Sequence, residues 1–211
     1  MKNLFLLFIV CSLLAICSCR QKSNVSKVGS YEKIPNSILI VYSSGTPYKT
    51  LSDIKPEELD AVSGATPMDM NVAMISQKLC SKLKDHYTVR LAKASEMVSY
   101  KEILQYDMLI IGAPTYFWNI NWEIKKMIDE QFEKIYIAKR DEFKGMKHIV
   151  FAMSEYGKCA EAANQKLESA ITDCSAKLDA SQIFITKESQ ADYEKQISHL
   201  AFVTDSVMQC H

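Results

Sequence analysis

Residues 106–130 read YDMLIIGAPTYFWNINWEIKKMIDE. The stretch opens on Asp107 to Ile111 (DMLII), a short run apolar on both faces, as a central parallel strand requires. It passes straight into Gly112-Ala113-Pro114-Thr115-Tyr116-Phe117-Trp118, where Gly112 and Pro114 read as the shapers of a rigid turn. Beyond it Ile120, Ile124, Met127 and Ile128 recur at helical spacing. Strand, loop with aromatics, then helix is the order of half a βαβ unit.

The rest of the chain repeats that grammar. Ser37 to Tyr42 (SILIVY), Thr88 to Ala92 (TVRLA), His148 to Ala152 (HIVFA) and Gln182 to Ile185 (QIFI) read as four further strands. Between and after them lie apolar stripes of helical period. Val72, Ile75, Leu79 and Leu83 form one, and Ala163, Leu167, Ala170, Ile171, Cys174 and Leu178 another. Tyr193, Ile197, Leu200, Val203 and Val207 form the last. Alternating strands and helices point to an α/β domain, a parallel sheet with helices on both faces. One connection is out of proportion: Ser43 to Thr66, between first strand and first helix, where an α/β unit spends about 2–6 residues. Long loops of that kind tend to be functional.

The N-terminus is set apart. Lys2 precedes an apolar stretch from Leu4 to Val10 that resumes from Leu13 to Ile16, too short for the roughly 20 residues a spanning helix needs. A basic start, a short apolar centre and small residues after it make a secretory signal peptide. Ile16-Cys17-Ser18-Cys19 resembles a bacterial lipobox, with Cys19 the expected lipidated residue and Cys17 the second choice. The expected organisation is residues 1–18 lipoprotein signal, 19–36 tether and 37–211 domain. The expected location is the bacterial cell envelope, anchored to a membrane and facing the periplasm or exterior.

Composition excludes several classes. Lys plus Arg equals Asp plus Glu at 25 each, so no basic field invites nucleic acid. Outside the signal, Cys80, Cys159, Cys174 and Cys210 form no CxxC pair, and no ligand cluster points to a metal. Cys174 sits inside a helical stripe, as a small buried hydrophobe, and Cys159 suits the first turn of a helix. His86, His148, His199 and His211 are scattered and read as surface residues.

The 106–130 stretch resembles the flavodoxin-like family, whose third strand, G-[AS]-P-T-Y flavin loop and following helix it matches; the resemblance runs from Ser37 to the C-terminus. It implies a three-layer, doubly wound, five-stranded parallel sheet of order 2-1-3-4-5 and an FMN cofactor. In open α/β sheets a ligand lies beyond the carboxyl ends of the strands, where strand order reverses. The resemblance places Pro114, Thr115, Tyr116, Phe117 and Trp118 at the flavin ring. Ala152-Met153-Ser154-Glu155-Tyr156-Gly157 resembles the family's other flavin loop. Tyr156 is then expected to flank the ring and Gly157 to allow close backbone approach, although a helix entrance explains both residues equally well.

For the phosphate end there are two candidates. Ser43, Ser44, Gly45 and Thr46 directly follow the first strand, whereas Ser63, Gly64, Ala65 and Thr66 precede the helix that starts near Met68. The second lies within Asp60 to Thr66 (DAVSGAT), which resembles the D-x-x-[ST]-G-A-T string of the FMN-binding domain of Rnf and sodium-pumping quinone reductase complexes. There the last Thr is esterified to the FMN phosphate by a flavin transferase. Carried over, the acceptor is Thr66. The competing reading is structural, because Thr66, Pro67 and Asp69 also make an N-cap, a first helical residue and an acid at N3.

The resemblance implies redox work: a lipid-anchored FMN protein in electron transfer, with a redox partner protein or quinone, its FMN covalent at Thr66 or non-covalent. The alternatives are an NAD(P)H-dependent FMN or quinone reductase and a flavin-free binding module. No catalytic residue is assigned. No G-x-G-x-x-G fingerprint for a pyridine nucleotide is present.

Overall fold

The computed structural model describes residues 32–43, 68–116, 118–186 and 188–210. The elements run β1 (Ser37–Tyr42), α1 (Met68–Leu83), β2 (Thr88–Lys93), a short α2 (Tyr100–Ile103), β3 (Met108–Tyr116) and β4 (Asn119–Ile120). Then come α3 (Trp122–Met127), a π-helical turn (Ile128–Phe132), α4 (Glu133–Ala138), α5 (Arg140–Lys144), β5 (Lys147–Ser154), α6 (Gly157–Asp173), β6 (Ala180–Ile185) and α7 (Gln190–Gln209).

All five expected strands form, and they lie side by side as β2-β1-β3-β5-β6, every pair parallel. Counted without β4, that is the order 2-1-3-4-5. Alternation of side chains along the strands divides the core in two. On one face Ile38, Ile40, Met108, Ile110, Ile149, Phe151 and Phe184 pack with Val72, Ile75, Leu79 and Leu83 of α1 and Tyr193, Ile197 and Leu200 of α7. On the other, Leu39, Val41, Leu109, Ile111, Ala113, Val150 and Ala152 pack under Ile124, Met127, Phe132 and Ile135 and under Ala160, Ala163, Leu167 and Ile171 of α6. β1, β3 and β5 are buried almost throughout. The edge strands β2 and β6 are only partly covered.

Several expectations need correcting. β3 does not stop at Ile111, and Gly112 and Pro114 shape no turn: both are strand residues, Gly112 opposite Tyr42 and Phe151, Pro114 opposite Met153. β1 pairs with β3 only as far as Gly112, so among the described residues no strand faces Pro114 on that side and its missing N–H costs no ladder bond to β1. A Cβ on Gly112 would come within 2.2 Å of the Phe151 ring, which is what demands glycine. Ile120 belongs to β4, paired with Thr115, and not to the helix that follows. That helix begins at Trp122, with Asn121 as its N-cap: the Ile124 amide donates to Asn121 Oδ1 at 3.3 Å.

His148 is the fourth correction. It is wholly buried in β5, its ring 4.4 Å from that of Phe143, and burial lowers its pKa to about 4 against a smaller opposing pull from Asp179. Cys174 is buried as expected, its thiol pushed up to about 11 chiefly by that burial. At the other end of the domain, the Ile34 amide donates to the Gln105 carbonyl at 2.8 Å and Lys33 Nζ to the Tyr106 carbonyl at 3.0 Å. Residues 33–36, assigned to the tether, are therefore already bonded to the domain.

Candidate functional site

The carboxyl ends of β3 and β5 carry the walls of an open cavity of about 900 Å³. Thr115, Tyr116 and Trp118 form one wall; Ser154, Glu155, Tyr156, Gly157, Lys158 and Cys159 form the other. The first wall is shaped by a hairpin in which Tyr116 pairs with Asn119 and Thr115 with Ile120. Trp118, between the two strands, takes φ 65°. A bulky residue in the left-handed region is uncommon and held there by its surroundings. The consequence is a Trp118 side chain left 55% exposed at the cavity.

The second wall is a strand-to-helix junction. Tyr156 occupies the N-cap position of α6 in extended conformation and gives the helix no side-chain cap; its carbonyl takes the Cys159 amide at 3.0 Å, and Gly157 and Lys158, the first residues of this 17-residue helix, line the cavity edge with their amides. Such amides and the helix dipole attract acceptor or anionic atoms. Tyr156 itself is 60% exposed. Gly157 carries no Cβ into this junction, and the nearest atom such a Cβ would meet is 3.8 Å away, on Ile185.

The first wall holds one unsatisfied group. Thr115 is buried, yet its Oγ1 has no hydrogen-bond partner among the described residues. A buried hydroxyl without a partner costs about 1–3 kcal/mol, and a ligand accepting from it would recover part of that.

Of the residues expected at the site, Thr115, Tyr116, Trp118, Tyr156 and Gly157 are brought together here. Pro114 supports the wall from within β3 and does not line the cavity. Ser43 lies apart, buried at the end of β1, its amide donating to the Gly112 carbonyl at 3.2 Å. Its hydroxyl donates to Glu123 Oε2 and accepts from Asn121 Nδ2. Ser44, Gly45, Thr46, Asp60, Ser63, Gly64, Ala65, Thr66 and Phe117 lie outside the described residues, as does Cys19. The sequence reading did not single out Lys158, Asn121 or Glu123. Asn121 had a legible signal, an Asn just ahead of a helical stripe; Lys158 and Glu123 had none, because a lone charge near a helix start is commonplace. Cys159, expected as a small residue in a first helical turn, is in that turn and also borders the cavity.

No protein-family model and no curated protein matches the sequence. Solved structures do match in shape. Flavodoxin 1 from Bacillus cereus superposes with a TM-score of 0.56 at 14% identity, covering 80% of this chain and 97% of that one. An NADH:FMN oxidoreductase (EMOB) in its apo form gives 0.54 at 12%, covering 82% and 88%. Rubredoxin oxygen:oxidoreductase from Desulfovibrio gigas gives 0.52 at 14%, covering 85% of this chain; the chain spans only 36% of that larger one. Sheet order, helix placement and these superpositions agree: the chain has the flavodoxin-like fold.

Proposed function

We propose that the domain holds an FMN in this cavity and works in electron transfer. The observation that carries the reading is the pairing of two walls: exposed Trp118 and Tyr156 from opposite loops, with Thr115, whose buried hydroxyl is unsatisfied, in the first wall. Aromatic faces suit a flat ring, and the uncapped amides of α6 suit a ring edge rich in acceptors. Bound FMN supplies the one- and two-electron chemistry; the protein orients it and sets its potential. Trp118, Tyr116 and Tyr156 would exclude water from the ring faces, and Thr115 would donate to a ring or chain oxygen.

The phosphate end belongs to one of the two segments, 43–46 or 63–66. Our reading of the Asp60 to Thr66 string is an ester between the Thr66 hydroxyl and the FMN phosphate. The N-terminal segment is proposed as a lipoprotein signal with Cys19 lipidated, for a domain in the cell envelope that faces the periplasm or exterior. Cofactor lost there is not readily replaced, so a covalent bond has a use. Pyridine nucleotides are scarce in that compartment, which favours a carrier fed by a redox protein or quinone. The reductase alternative draws support from the NADH:FMN oxidoreductase of similar shape.

The deciding experiment is expression of the chain with and without a flavin transferase, followed by denaturing electrophoresis under ultraviolet light. The expected result is flavin fluorescence that survives denaturation with the transferase and disappears in Thr66→Ala. Flavin that always washes off removes the ester; protein that neither copurifies with nor binds FMN removes the flavin reading. Steady-state turnover with NADPH and a quinone separates carrier from reductase.

A further inference from the structure

Charge enters the cavity from one wall only. Thr115, Tyr116 and Trp118 bring none at neutral pH, whereas the second wall brings Glu155 and Lys158. Lys158 is exposed, and its ammonium forms no ion pair or hydrogen bond among the described residues. Its place is the wrong one for the helix: it is the second residue of α6, where a cation opposes the dipole. α2, α3, α4, α5 and α7 each carry an acid in the first turn, and α6 has none. A local rule broken in a cavity wall is expected where the break serves a ligand.

A second, independent observation points to a ligand in the same cavity. Thr115, in the other wall, is 97% buried and its Oγ1 has no partner among the described residues. The cavity thus offers its occupant a hydroxyl, the amides of Gly157 and Lys158, the positive end of α6 and one unpaired ammonium. Such a field discriminates between the redox states of a flavin. The oxidised ring is uncharged. When it takes two electrons from its redox partner and one proton from solvent, it gains one negative charge, which a nearby cation stabilises. The reduced form is then held more tightly than the oxidised one, and by linkage the midpoint potential of the bound cofactor rises.

We propose that Lys158, held against the dipole of α6, stabilises the negative charge of the reduced flavin ring and raises the potential of the bound cofactor. The proposal rests on the flavin reading above. It assigns the unfavourable placement of Lys158 to redox tuning and makes this residue a trade of helix stability for function.

The test is redox titration of the full chain, made without a flavin transferase and loaded with riboflavin or, separately, with FMN, for the wild type, Lys158→Gln and Lys158→Arg. Riboflavin isolates the ring from the phosphate, which a lysine would also attract. Lys158→Gln is expected to weaken reduced riboflavin about tenfold relative to oxidised, the scale of one charge pair about 12 Å apart near a protein surface. That ratio lowers the midpoint potential by about 30 mV. Added salt shrinks the difference, Lys158→Arg keeps the wild-type value, and flavin-free Lys158→Gln melts no lower than the wild type. Should Lys158→Gln fail to fold, the wild type decides: its preference for reduced riboflavin must fall with salt, and a salt-independent ratio overturns the proposal. A potential that Lys158→Gln leaves unmoved, or a loss confined to FMN with riboflavin unaffected, overturns the role of Lys158 and leaves the flavin reading standing. Binding of neither flavin overturns both.

Discussion

Three residues of the cavity region trade stability against function in different ways. Thr115 carries a buried hydroxyl that nothing in the described domain satisfies, so its removal should not harm the fold. Thr115→Val is expected to leave the thermal midpoint unchanged or slightly higher and to weaken FMN binding about tenfold, the worth of one hydrogen bond to a buried partner; melting curves and a fluorescence titration on the same preparation check both halves. Trp118 holds a left-handed φ. Trp118→Gly should relieve strain of the order of 1 kcal/mol and raise stability in denaturant, while removing a stacking face and lowering flavin affinity. Gly112 is the opposite case, because the Phe151 ring occupies the space a methyl group would need. Gly112→Ala is expected to cost about 1–3 kcal/mol through overpacking, read as a lower urea midpoint, with Gly112→Ala/Phe151→Leu recovering part of it.

Among the elements, β5 offers a test by pH. His148 is buried neutral, and its folded-state pKa of about 4 lies below the unfolded value. The unfolded chain therefore binds the proton first, and stability is constant above about pH 6.5, then falls as pH drops toward 4, by about 3 kcal/mol in all. Melting temperatures recorded from pH 7.5 to 4.5 should show that decline, and His148→Leu should flatten it. Similar slopes in wild type and variant would assign the acid sensitivity elsewhere.

The same strand shows what was legible in the sequence. HIVFA was readable as a strand because four of its five residues are apolar and a parallel strand is buried on both faces. The burial of His148 was not readable, since a histidine at a strand start is indistinguishable by pattern from a solvent-facing one. The β3–β4 hairpin was illegible for a related reason. Its second strand is two residues long, below any period, and Ile120 happens to fall at helical spacing from Ile124. Gly112 and Pro114 suggested a turn because that is their commonest use; only the register, in which β1 pairs with β3 no further than Gly112, makes a proline harmless at 114. The aromatics Tyr116, Trp118 and Tyr156 were legible because a strand end followed by a helix is where an α/β sheet gathers its ligand contacts. Asn121 and Glu123 bond to Ser43, 78 and 80 residues away in sequence, and no local pattern carries such a pairing.

For the whole molecule, the proposed anchor and the proposed cofactor can be tested separately. Cys19→Ala should abolish incorporation of labelled palmitate and release the domain from the membrane fraction, without altering the spectrum of the bound flavin. A loss of flavin in that variant would mean that export and cofactor loading are linked. The equal numbers of basic and acidic residues give no net field to steer a partner, so encounter with a redox protein would depend on local contacts, such as those offered by exposed Trp118, Tyr156 and Trp122.

Both cavity walls hang from β3 and β5, the adjacent inner strands, and neither edge strand contributes to them. Opening of β2 or β6 at the periphery would leave the cavity assembled, whereas separating its walls requires parting the sheet at its centre. In amide hydrogen exchange, the amides of Gly112, Ala113, Thr115 and Ala152 to Ser154 should therefore exchange only with global unfolding, and those of β2 and β6 far sooner. A site so placed is lost all at once or not at all, and the borders of the sheet are left free to vary without reaching it.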